Sequence, residues 1–105
     1  MPFHWKIDSK RQLMEIQAEG PLVLADCIQV VEVTAGAQCI PYRKLLDVRM
    51  ATLEATHEEV MKLVVMLRDY HERYKVGPLA IVITSEQGSR YPQVLGALAA
   101  ADLLP

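Results

Sequence analysis

The chain has 105 residues, a formal net charge of -2, 51% apolar residues and 23% charged ones. That length and apolar share fit one globular domain with its own core. Basic residues such as Lys10-Arg11, Arg43-Lys44, Arg68, Arg73 and Lys75 are scattered, without the clustered positive face of a nucleic-acid binder, and no apolar run reaches the roughly 18 residues that span a bilayer.

The opening MPFHWKIDSK has neither the apolar run nor the cleavage site of a secretory signal, so a cytoplasmic protein is expected. Cys27 and Cys39 follow no metal or redox spacing. Both are expected as reduced thiols, Cys27 as a small apolar filler and Cys39 in a more exposed setting.

Residues 3–7 (FHWKI) and 12–20 (QLMEIQAEG) flank the turn formers Asp8 and Ser9 and read as a hairpin. In the second segment Met14, Ile16 and Ala18 alternate with Glu15, Gln17 and Glu19. That is the period of a strand with one solvated face. Gly20-Pro21 is expected to end it. From about residue 23 to 38, Leu24, Cys27, Ile28, Val31 and Ala35 recur at helical spacing, with Gly36 at the fraying end. Residues 42–48 (YRKLLDV) read as a short strand, with a loop after it.

Thr56 and Glu59 form a capping box. Val60, Leu63, Val64, Leu67, Tyr70, His71 and Tyr74 then share one helical stripe, which Gly77-Pro78 terminates. The unbroken apolar run 78–84 (PLAIVIT) fits a central strand buried on both faces. A turn over 84–92 leads to a last helix, about 91–101, with Val94, Leu95, Leu98 and Ala101 inward. The resulting class is α/β: a single domain of order β-β-α-β-α-β-α, with a mixed, mostly parallel sheet of about four strands and three helices packed on it.

The segments FHWKID, AEGPLVLADC, PYRKLLDVRMATLE and GPLAIVIT together resemble the STAS-like domains related to bacterial anti-sigma-factor antagonists. They resemble most closely a bacterial group described as SpoIIAA-like. The resemblance covers nearly the whole chain, and its motifs are moderately specific as a set. The function expected is that of a non-enzymatic STAS-like binding or regulatory module presenting the loop-helix 47–59 to a protein partner or small ligand. Phosphorylatable antagonists carry a D-S-S-G-type turn here, whereas this chain reads DVRMATLEATHEE. Asp47 matches the strand-end acid but no Ser follows it, so the phosphoserine switch is not expected. Relatives also continue into a final strand and helix where this chain stops at DLLP. Truncation and a partner chain, such as a second copy in a homodimer, are the two alternatives.

Asp47 and Arg49, two apart on a strand, point to one face. They read as an ion pair fixing the loop, or as the floor of a pocket at the carboxyl ends of the strands. With Thr52, Ser89 and Arg90 they are the candidates for contact with a ligand or partner. Arg49 and Arg90 would then hold an anion in a cleft between residues 47–56 and 85–91. Met50, Leu53 and Met61 are candidates for an apolar interaction surface. The alternative function is a small anionic or lipid ligand-binding protein, or a minor enzyme, using that cleft. No cofactor motif is present. His57 and His71 would lie roughly 21 Å apart along one helix and cannot share a metal ion. Ser85 and Ser89 lack a nucleophile elbow, so no catalytic residue is assigned.

Overall fold

A computed structural model describes residues 2–92 and Gly96. Its elements are β1 (Phe3–Asp8), β2 (Leu13–Leu22), α1 (Leu24–Gly36), β3 (Arg43–Leu53), α2 (His57–Arg73), β4 (Leu79–Val82) and α3 (Ser85–Arg90). The strands lie in the order β1-β2-β3-β4, with β1 antiparallel to β2 and the rest parallel. The α/β class, the mixed sheet and the order of elements are as the sequence implies. Most of the helix expected over 91–101 lies outside the described residues.

Both crossovers, β2-α1-β3 and β3-α2-β4, advance the same way across the sheet. Right-handed connections therefore place both helices on one face. The burial agrees. Met14, Ile16, Ala18 and Leu22 of β2 are buried under α1, which contributes Cys27, Val30 and Val33, while Glu15, Gln17 and Glu19 on the other face are exposed. Leu53 meets Val60 and Val64 of α2 in a second cluster. Among the described residues the domain thus has two layers, with both long helices on one side of the sheet and the exposed Glu15, Gln17 and Glu19 on the other.

Four expectations need correction. First, β2 does not end at Gly20-Pro21; Gly20, Pro21 and Leu22 pair with Ala51, Thr52 and Leu53. β1 has already run out there, since its partner Glu19 donates to Pro2 O at 2.8 Å. Gly20–Leu22 therefore bonds on one side only, where a proline is tolerated, and Gly20 supplies the φ of +73° that bends it.

Second, β3 runs to Leu53 rather than stopping at Val48. Gln17 to Glu19 of β2 oppose Asp47 to Met50 of β3, so β3 holds one extra residue. This bulge breaks the alternation that would have marked the strand as continuous. Third, β4 pairs with β3 alone among the described residues, with Ala80 exposed. It is an edge with one covered face, not a strand buried on both. An apolar run by itself does not separate the two cases.

Fourth, Cys39 is 1% exposed. Its N–H donates to Thr34 O at 2.9 Å as the chain leaves α1, tucking the side chain against the core. Burial pushes the thiol pKa up, with the Lys44 charge opposing. Cys27 is half-buried and also raised, by burial first and by Asp26 second. Both cysteines are free thiols. The inward face of α1 keeps Leu24, Cys27 and Val31 of the expected stripe and adds Val30 and Thr34. Thr34 is buried, and its hydroxyl donates to Val30 O at 2.8 Å with Met14 Sδ 3.5 Å away. A β-branched hydroxyl residue is thus accommodated inside by its own helix.

Candidate functional site

The Asp47–Arg49 pair sits on the bulge. An inserted residue leaves part of the ladder unpaired, and the Asp47 carboxylate takes up a freed donor. Oδ1 accepts from the Arg49 backbone N–H at 3.1 Å and from its Nε at 3.0 Å, and Oδ2 accepts from Nη2 at 2.8 Å. This bidentate bonding by Arg49 holds the Asp47 carboxyl at about 2, against an ordinary 3.8, and raises the Arg49 pKa in turn. The pair is a clasp on the backbone, the structural role weighed in the sequence.

The clasp faces the open side of the sheet: Asp47 is in register with Gln17. Met50, 70% exposed, and Thr52 follow on that side, opposite Glu19 and Pro21. Leu53 points the other way, into the α2 cluster. Met61 is exposed on α2 itself. The fold therefore does not gather Met50, Leu53 and Met61 into one surface. Ser89 and Arg90 are exposed on α3, and the Arg90 guanidinium lies 5.9 Å from the Tyr91 ring centre. Arg49 is exposed on the bulge of β3, and Gln87 of α3 bonds to the residues on either side of it.

The 84–92 segment is more ordered than a turn. Thr84 and Gln87 make a capping box, with Gln87 N donating to Thr84 Oγ1 at 3.1 Å and Thr84 N to Gln87 Oε1 at 2.9 Å. The same Gln87 reaches across to β3. Its Nε2 donates to Val48 O at 2.7 Å and to Ala51 O at 3.1 Å. The two segments expected to flank a cleft are thereby stitched together, with α3 hung from the bulge.

Beneath this stitch, between the sheet and the helices, lies a cavity of about 240 Å³. Phe3, Ile16, Leu46 and Ile81 form its sheet side, and Leu24, Cys27, Val31, Val60, Leu63 and Leu67 its helical side. Val48, Ala51, Leu53, Ala55, Ile83, Gln87 and Tyr91 line the end near the bulge, and Lys44, Tyr70, His71, Val76 and Leu79 the opposite end. Carbon dominates this lining. At the far end Lys44 Nζ donates to Ile40 O at 2.6 Å and Tyr42 O at 2.9 Å. An engineered apolar cavity of about 150 Å³ already stays dry and admits benzene. Among the described residues no group of three side chains is placed to hold a metal ion, and no helix is long and apolar enough to cross a membrane.

The cavity is not legible as a motif, because its walls come from every element except α3's exposed face. Its one signal in the sequence is the surplus of apolar residues in the 23–38 and 56–75 helices. Comparison with protein-family models, with curated proteins and with solved structures finds no match.

Proposed function

We propose that this chain is a non-enzymatic binding module, of the STAS-like kind its sequence resembles, that takes a small apolar or amphiphilic molecule between its sheet and its two long helices. The observation that carries the reading is the cavity of about 240 Å³ with its hydrocarbon walls. Well-packed interiors hold few voids larger than a water molecule. Ligand sites are concave and mostly apolar, with few polar groups fixing orientation. The bulge end of the cavity coincides with the two segments, 47–56 and 85–91, that the sequence offers as a ligand cleft. A regulatory role without a phosphoserine switch is consistent with Asp47 being engaged by Arg49 and having no serine after it.

Calorimetric titration of the chain with 1-octanol and with sodium octanoate tests the reading. Saturable binding of at least one is expected, and Leu63→Trp, which fills the cavity, abolishes it. Equal affinity in the folded Leu63→Trp variant places binding elsewhere and rejects the proposal. The two probes also distinguish a neutral chain from an anionic amphiphile.

A further inference from the structure

We propose that Gln87 is a latch that transmits filling of the apolar cavity to the Asp47–Arg49 clasp on the opposite face of the sheet. The inference rests on the cavity being a ligand site and adds how occupancy is read from outside.

The cavity and the clasp are on opposite sides of β3, and the bulge lies between them. Its backbone is held from both directions. On the open face Asp47 accepts the Arg49 N–H at 3.1 Å. On the cavity side Gln87 Nε2 donates to the carbonyls of Val48 and Ala51, at 2.7 and 3.1 Å. Val48, Ala51 and Gln87 also line the cavity. A regular ladder resists movement because each residue is pinned by its register partner. A bulge has an unpaired residue and more freedom, and this one is the register break between β2 and β3.

Gln87 serves two elements with one carboxamide. Its Oε1 caps α3 through Thr84 N, and its Nε2 holds β3. A molecule wedged among Ile83, Gln87 and Val48 cannot displace α3 without moving the donor that fixes the Val48 and Ala51 carbonyls. Between those carbonyls stands Arg49, whose N–H and guanidinium are bound to Asp47. Coupling of this kind is reciprocal, so disturbing the clasp changes affinity at the cavity.

Two-dimensional NMR of the full chain titrated with 1-octanol tests this. In the unmodified chain the Arg49 backbone N–H and Nε–H signals shift with the same midpoint as the cavity methyls of Leu63 and Leu67. Gln87→Glu keeps the acceptor of the capping box but cannot donate to the carbonyls at neutral pH. In it the methyls still shift and the Arg49 signals do not, and Gln87→Ala behaves alike. Arg49→Ala changes the octanol Kd by about fivefold or more in the unmodified background and leaves it unchanged in Gln87→Glu. Saturating methyl shifts with silent Arg49 signals, or equal Arg49 shifts in all three proteins, overturn the latch. Absence of any methyl shift refutes the ligand reading itself, and the latch with it.

Discussion

Gln87 Nε2 stands 2.7 Å from Val48 O, a contact 39 residues apart in sequence that joins the last described helix to the irregular point of β3. The carboxamide is part-buried, and its loss strands two carbonyls as well as the first turn of α3. Gln87→Ala is therefore expected to destabilise the domain by about 1–3 kcal/mol, read as a lowered urea midpoint with unchanged slope. Gln87→Glu retains the box but sets a carboxylate against two carbonyl oxygens. Its defect is expected to shrink on acidification, as the introduced carboxyl gains a proton to donate. A defect independent of pH contradicts that assignment.

Asp47 gives a pH signature of its own. Its folded pKa is depressed to about 2 from 3.8, chiefly by the hydrogen bonds from Arg49. A depressed acid contributes stability that is fully present above the unfolded value and is lost as pH falls through the folded one. The contribution is expected to fade between about pH 4 and pH 2. It is small in size because the pair is solvent-accessible. Carbon-detected NMR titration of the Asp47 carboxyl should give a midpoint near 2, and Arg49→Ala should return it toward the ordinary range. Glu59, lowered by hydrogen bonds from Thr56, adds to the same acid sensitivity.

Gly77 is fixed by space. A Cβ there would collide with the carbonyl oxygens of Pro41 and Tyr42, while Gly77 N donates to Ile40 O at 2.9 Å. The two connections, from α1 to β3 and from α2 to β4, touch backbone to backbone at this point. Gly77→Ala is expected to cost about 3 kcal/mol, because the opposing atoms are main chain and cannot rotate away. Chemical denaturation measures it, and a near-neutral result contradicts the close approach.

The α2 cap predicts a graded series. Glu59 N donates to Thr56 Oγ1 at 3.2 Å, and Thr56 N to Glu59 Oε1 at 3.0 Å. Thr56→Ala is expected to lose about 1 kcal/mol and Thr56→Ser almost nothing. Equal losses in the two would show that the methyl, not the hydroxyl, matters.

What the sequence disclosed divides along physical lines. Local, periodic features were readable: the alternation of Met14, Ile16 and Ala18 with Glu15, Gln17 and Glu19, the Thr56–Glu59 box, and the Val60–Leu67 stripe all depend on neighbours within a turn or a strand. The handedness of crossovers then carried these to an α/β domain with helices packed on a mixed sheet, without showing that one face of β4 would stay open. Features set by distant partners were not readable. One inserted residue near Val48 disguised the rest of β3 as a loop. The apolar residues of β4 look alike at an edge and at a centre. Cys39 is buried by the path of the chain after α1, and nothing adjacent in sequence marks that path. Gln87 looks like an ordinary cap until β3 is brought opposite it. The Asp47–Arg49 pairing itself was legible, since two residues apart on a strand share a face.

The central claim is that the space between sheet and helices receives a ligand. Nuclear Overhauser contacts between the methylene protons of bound 1-octanol and the protein's methyl groups measure this most directly. The account predicts cross-peaks to Val31, Val60, Leu63, Leu67 and Ile81 at once, residues of α1, α2 and β4 that all line the cavity. Cross-peaks confined to exposed Met50, Met61 and Val65, or none at saturating octanol, would contradict it.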